Sequence, residues 1–489
     1  MLQHHRRTAL ATATAAALTG GLLTFAAAAP ATAADSTVVP QADFNGDGKG
    51  DVAFSASGAY VNGKKEAGQL VVLYGTSTGI SGAKRSTISQ ETSGVPGSAE
   101  TGDAFGSDAA YADFNNDGYD DLAVTSMGED VGSDADAGSV TLLWGSAQGL
   151  TGKSTMIADP APYSHDKWGL YLAAGDFDGD GKADLAVSST STTVYVFKGG
   201  FSSTGKPGGT YTIKPPVVSG SYPLNLTAGD VNGDGRTDLV VDGYENRTEY
   251  GWNRNYWIPG TASGLSMASA KELRPGIITA IGDVNHDGYG DIVSGAPWET
   301  TIEDGTAVPY SGKGGKVWIT YGTASGPGSA TGITQDTAGV PGNAEKNDEF
   351  GSELDLGDIN GDKYLDLVIG SPGEDIGTHT DTGMVTVLYG SPSGISTSGA
   401  QSFAQSNPGV PGNDEKYDEL GLDVKLDDVN GDGKADLIAS SAENSGDGAV
   451  LYLPSDGKKI TTSGDRMIMP SDAGVSTTGT PLFGANFGD

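Results

Sequence analysis

The chain contains no cysteine, so disulfides, thiolate metal sites and a thiol nucleophile are all closed to it. Histidine is almost as scarce, with five in 489 residues, two of them at positions 4 and 5. Structural zinc draws on Cys and His, so this composition points away from it. Basic residues are few: 28 Lys and Arg stand against 63 Asp and Glu, a formal net charge of −35. Phosphate neutralisation needs clustered cations, which argues against nucleic acid and against anionic membrane surfaces as partners. Beyond residue 34 no apolar run is long enough to span a bilayer, and no segment carries convincing helical periodicity.

What the chain has is glycine, 77 of them, and acid at regular intervals. The first 34 residues form a separate unit: His4, His5, Arg6 and Arg7, then an Ala/Leu-rich run, then a small-residue A-x-A site at Ala31 to Ala33. That layout predicts an export signal over 1–34 and a secreted, extracellular protein over 35–489. Without disulfides, such a protein must draw its stability from a core, from metals, or from both.

The stretch "DFNGDGKGDVA" opens at Asp43 and returns six times, at Asp113, Asp176, Asp230, Asp283, Asp358 and Asp428. Each copy leads into an apolar β-former. The spacings of 70, 63, 54, 53, 75 and 70 residues each hold one supersecondary unit of several strands. The flanks repeat too: "SGVPGSAETGDAFGSD" recurs as "AGVPGNAEKNDEFGSE" and "PGVPGNDEKYDELGLD". Alternating apolar residues bounded by Gly, Ser, Asn and Asp predict four short strands per unit: into the loop, out of it, a V/L/Y-rich third and a fourth before the next unit. Four-stranded units repeated radially make a β-propeller, here of seven blades.

These units resemble FG-GAP repeats, the blades of the integrin α-chain propeller. The FG pair stands at Phe105–Gly106 and Phe350–Gly351, loosened to Trp168–Gly169 and Leu420–Gly421. The GAP triplet stands at Gly295, Ala296 and Pro297, with Gly370, Ser371 and Pro372 as a variant. The first loop has no FG upstream, whereas Phe483 and Gly484 near the other terminus have no loop after them. The two chain ends are therefore expected to complete one blade together and close the ring.

Positions 1, 3, 5 and 9 of each loop carry side-chain oxygens, and position 7 offers a backbone carbonyl. The candidate ligands are Asp43, Asn45, Asp47, Lys49 and Asp51; Asp113, Asn115, Asp117, Tyr119 and Asp121; Asp176, Asp178, Asp180, Lys182 and Asp184; and Asp230, Asn232, Asp234, Arg236 and Asp238. The last three loops supply Asp283, Asn285, Asp287, Tyr289 and Asp291; Asp358, Asn360, Asp362, Tyr364 and Asp366; and Asp428, Asn430, Asp432, Lys434 and Asp436. Hard oxygens on a flexible loop suit Ca²⁺, giving up to seven structural sites. An EF-hand is excluded because its bidentate Glu at position 12 is replaced by Phe54, Val124, Val187, Val241, Ser294, Ile369 and Ala439. The shorter nine-residue loop resembles the integrin one. Gly at position 6 serves a turn of positive φ, and Lys363 in the sixth loop breaks that pattern, which makes it the weakest site. Asp178 gives the third loop a fourth carboxylate and the tightest expected binding. Seven Ca²⁺ would offset 14 charges and leave −21 of the −35.

Loops on the other face are longer, and by family resemblance they bind ligands. "DGYENRTEYGWNRNYWIPG" in blade 4 supplies Tyr244, Arg247, Tyr250, Trp252 and Arg254, and neighbouring blades add Tyr163, His165, Trp168, Trp298 and Glu299. Aromatics with Arg on a rim suit a protein or glycan partner; alternatively Trp168 fills the FG phenylalanine's place in the core. The expected function is an extracellular recognition or adhesion module, and the competing one is a carbohydrate-active enzyme, a calcium-assisted polysaccharide lyase or hydrolase.

Overall fold

The acidic loops act as corners: each turns one buried strand back beside another. In the second repeat Phe105–Ala112 runs into the loop and Asp121–Ser126 runs out of it, paired antiparallel, with Ser139–Leu143 and Ser154–Ile157 beyond. The computed structural model describes residues 41–217, 223–245 and 247–488, so the export segment 1–34 lies outside the described residues. Six sheets have four antiparallel strands in this order and a seventh has three, which makes a seven-bladed, all-β ring.

The burial pattern differs from the alternation expected of the strands. Every residue of Val52–Ala56, Asp121–Ser126, Asp291–Ala296 and Asp366–Ser371 is buried. Each blade is flanked by two others, so its second strand has no solvated face and both side-chain rows are apolar or small. Alternation survives in outer strands such as Gly209–Ile213 and in third strands such as Asn253–Ile258 and Lys316–Thr320. Among the described residues helix is confined to single turns at Glu443–Gly446 and Pro470–Ala473 and one 3₁₀ turn.

Ring closure follows the expectation. The three-stranded sheet of Val52–Ala56, Gln69–Leu73 and Arg85–Ile88 receives its first strand from the far end of the chain. Phe487 bridges Phe54, and the Ser55 N–H donates to the Asn486 carbonyl at 2.7 Å. The Gly484 and Gly488 N–H groups donate to the Ser55 and Ala53 carbonyls, while Asp51 N–H donates to Ala42 from the near end. Phe54 packs edge-on against Phe483 and Phe487 at 4.8 and 5.9 Å. These three rings share a core with Val450 and Tyr452 of the last blade.

The FG and GAP elements meet between blades. Phe105, Trp168, Phe350, Leu420 and Phe483 are all buried to 1% exposure or less, so Trp168 does fill the phenylalanine's place. The glycine after each has φ between 86° and 90°, a conformation costly for any side chain. A Cβ on Gly295 would lie 2.0 Å from the Gly351 carbonyl of the next blade, and one on Gly370 would lie 2.2 Å from that of Gly421. Glycine at both places lets adjacent sheets touch backbone to backbone.

Candidate metal loops and the opposite rim

All seven loops share one hydrogen-bonded frame. The position 1 carboxylate accepts the N–H of position 6, from Gly48 to Asp43 at 2.8 Å through to Gly433 to Asp428 at 2.6 Å. The position 2 side chain, Phe44, Phe114, Phe177, Val231, Val284, Ile359 or Val429, is fully buried and pins the loop to the core. The position 9 carboxylate reaches the end of its own blade's third strand, accepting an N–H from Gly75, Gly145, Gly199, Gly260, Gly322, Gly390 or Ser455 at 2.7–2.9 Å. Position 9 is thus a structural pin as well as a candidate ligand, a role the spacing did not reveal.

Two residues per loop are left-handed, not one. Position 6 has φ of 74–90°, including Lys363 at 74°. Position 4 is also left-handed, from His286 at 57° to Gly431 at 78°. Asn116 and His286 tolerate that conformation better than bulkier side chains do.

The electrostatics of these loops favour a cation. Burial, with repulsion from neighbouring carboxylates, pushes Asp51, Asp238, Asp291 and Asp436 up to about 7, and Asp121, Asp184 and Asp366 up to about 8. A buried anion facing other anions is what a bound divalent ion would relieve. In the third loop, carboxylate oxygens of Asp176, Asp178 and Asp184 lie within 4.8 Å of one another. The donor set therefore fits a hard cation.

Basic side chains compete for the same oxygens. Lys198 lies 2.6 Å from Asp178, so the extra carboxylate of the third loop is already paired. Position 7, expected to act through its carbonyl, also turns its side chain to the loop: Lys49, Lys182 and Arg236 pair with Asp47, Asp180 and Asp234 at 3.1–3.4 Å, and Lys84 joins Asp47 at 2.9 Å. Consecutive loops are joined as well. The position 8 N–H donates to the position 1 carbonyl of the preceding loop in the pairs Asp120 to Asp43, Thr237 to Asp176, Gly290 to Asp230, Ala435 to Asp358 and, across the closure, Gly50 to Asp428.

The first strands run into these loops, so the connections between second and third strands emerge on the opposite rim. There the blade 4 residues separate. Tyr250 and Trp252 stack at 5.1 Å with planes 23° apart, and Tyr250 is 43% exposed. Arg247 pairs with Glu245 and Glu272, and Arg254 with Glu272, all at 3.1 Å, so both cations are already answered. Tyr244 ends the strand Asp238–Tyr244 and is partly exposed. The neighbouring blades contribute less than expected. His165 and Trp168 are buried against Tyr195, leaving Tyr163 exposed, and Glu299 is spent on the N–H groups of Gly314 and Asn347. Sequence reading missed four side chains of blade 5, namely Arg274, Tyr310, Lys316 and Trp318, which close on Arg254 from across the seam.

Known proteins match the repeats individually. The FG-GAP repeat family matches residues 37–73, 275–320 and 350–388, and the FG-GAP-like repeat family matches 113–187 and 176–241. Phosphatidylinositol-glycan-specific phospholipase D of Rattus norvegicus is 35% identical over 152 residues, 31% of this chain and 18% of that protein. Integrin alpha-PS2 of Drosophila melanogaster is 27% identical over 235 residues, 42% of this chain and 15% of that one. The chain thus spans less than a fifth of the length of either relative. The solved structure of the Dos1 propeller aligns with a TM-score of 0.42 and 10% identity, over 86% of this chain and 85% of its own. With the repeats, the seven-bladed ring and the family matches in hand, the chain belongs to the FG-GAP repeat β-propellers and has integrin α chains among its homologues.

Proposed function

We propose that the chain is an exported, calcium-stabilised propeller that recognises a protein or glycan outside the cell. The supporting observation is the division between its two faces. One face gathers seven acidic loops of common geometry, whose buried ninth carboxylates are held in a state that a divalent cation would stabilise. The other presents long connections with partly exposed aromatic and basic side chains. Ca²⁺ would take the side-chain oxygens of positions 1, 3, 5 and 9 with the position 7 carbonyl, and would supply structural charge neutralisation. Within each loop the residues of this chain set the frame: position 6 caps the first carboxylate and position 9 ties the loop to its own sheet.

Enzymatic action has less support. A calcium-assisted lyase needs a base such as Arg, Lys or Tyr beside a calcium-bound uronate, yet the acidic loops lie on one face and the exposed aromatic and basic side chains on the other. The test uses residues 35–489 melted in chelator and in millimolar calcium, then incubated in calcium with cell-wall and plant polysaccharides. A higher midpoint in calcium, with polysaccharide retained uncut, supports the proposal. An unchanged melt sinks the calcium part, and release of shortened products replaces recognition with catalysis.

A further inference from the structure

Charge on this molecule is overwhelmingly negative, yet at one seam two cations stand side by side without a carboxylate. Arg274 lies in the connection before the strand Ile278–Gly282, and Lys316 opens the strand Lys316–Thr320. Neither forms an ion pair with a described carboxylate, whereas Arg247 and Arg254 beside them both do. They lie instead over aromatic rings. The Arg274 guanidinium is 4.5 Å from the Tyr310 ring centre and 5.0 Å from that of Trp318, and the Lys316 ammonium is 3.9 Å from Trp318. The Arg254 guanidinium also lies over Tyr310, at 5.3 Å from the ring centre.

The arrangement is held from behind. The Trp318 indole N–H donates to the Tyr310 carbonyl at 3.0 Å, fixing the rings edge to face at 6.3 Å. Asn253, buried to 6% exposure, accepts the Gly276 N–H at 2.9 Å and so anchors the segment that carries Arg274. Tyr310 is 44% exposed and sits at φ 64°, a backbone state that an aromatic residue seldom adopts without cause. Gly332 leaves the space under Lys316, since a Cβ there would meet its Cε at 2.3 Å. Burial and the adjacent Arg274 charge both hold the Lys316 ammonium below its ordinary pKa.

A ring face offsets part of the cost of an unpaired cation. It leaves two like charges sharing one indole, and an anion between them would remove that repulsion. The aromatic surroundings narrow the anion further. Tyr310 is open to solvent, and the stacked Tyr250 and Trp252 reach the same connection of blade 5, through the Tyr250 hydroxyl to Thr306 Oγ1 contact of 3.2 Å. Flat apolar faces beside hydrogen-bonding cations match a pyranose ring, which offers C–H groups on its face and a charged substituent at its edge. A polyphosphate would have to bring continuous charge alongside a body of −35, whereas an isolated charge meets only its local field, screened beyond about 8 Å.

We propose that Arg274 and Lys316, backed by Tyr310 and Trp318, bind an acidic sugar unit, a uronate or a sulfated residue of a glycan. This deepens the recognition reading and rests on it only for its biological use, since it involves no calcium loop. The test is calorimetric titration of residues 35–489 in millimolar calcium with four probes: a galacturonate trisaccharide, a sulfated galactose oligosaccharide, a neutral cello-oligosaccharide and a glutamate-rich peptide. The expected result is binding of one acidic sugar, weakened by added salt and reduced about tenfold by Arg274→Gln or Lys316→Gln. Both variants should melt with the parent protein. Preference for galacturonate identifies the anion as carboxylate, and preference for the galactose probe identifies it as sulfate. Binding of the neutral sugar or the peptide, unmoved by either variant, overturns the acidic-sugar site while keeping recognition. Silence from both acidic sugars overturns it outright.

Discussion

Lys363 occupies a backbone state that six sister loops give to glycine, at φ 74°. Lys363→Gly should stabilise the protein by about 1 kcal/mol by removing that strain. A rise in the melting midpoint, in calcium and in chelator alike, is the readout, and a fall would mean that the Lys363 side chain contributes more than its backbone costs. Glu374 offers a second residue-level test. It is 9% exposed, accepts a hydrogen bond from Gln335 Nε2 at 2.6 Å, and is pushed by burial up to about 7 despite that bond. The folded protein therefore keeps a proton that the unfolded chain releases above its ordinary pKa of 4.5. Stability is lost as pH climbs from there through about 7, so Glu374→Gln should gain roughly 1–3 kcal/mol over the parent at pH 8 and little at pH 5. Equal melting of the two proteins at both pH values would contradict this. Lys363 was legible because a glycine was missing from a repeat. The Gln335–Glu374 pair was not, although it recurs as Gln90–Glu129 and Gln405–Glu443, because its members lie on different connections 38 or 39 residues apart.

At the level of the loop, spacing disclosed which oxygens converge but not what else holds them. Asp184 ties its loop to Gly199 and Phe177, whereas Asp180 lies at the exposed rim with Lys182. Asp184→Ala should cost about 1–3 kcal/mol even in chelator, because it strands buried N–H donors. Asp180→Asn should leave the chelator melt unchanged and lower only the increment that calcium adds. Identical behaviour of the two variants would erase the distinction between pin and ligand. The strands themselves were readable from composition and turn residues. Their burial was misjudged where alternation was assumed, since no single repeat shows that another sheet covers its second face. Basic partners such as Lys198, on a different strand from the loop it enters, were invisible for the same reason.

For the ring as a whole, seven recurrent loops gave the blade number, and an orphan FG near one terminus indicated how the circle shuts. The rim was harder to read. Its functional candidates came mainly from one unusual loop of blade 4, with a few from neighbouring blades, and they left out Arg274, which shares the Tyr310 ring with Arg254. Closure carries its own prediction. Phe487 is buried to 1% and bridges to Phe54, so Phe487→Ala should destabilise the protein by about 3–5 kcal/mol. The loss should appear as a single cooperative transition at lower denaturant, because opening the first blade exposes the last. An early separate transition with the main one unmoved would show that the blades melt independently.

The same closure has a temporal side. The strand that completes the first blade is drawn from Phe483 to Gly488, so all seven acidic loops must be synthesised before that blade has all its parts. Until then a sheet edge stays open and the circle has a gap. A copy truncated before Phe483 would keep an exposed edge for proteases and chaperones to detect.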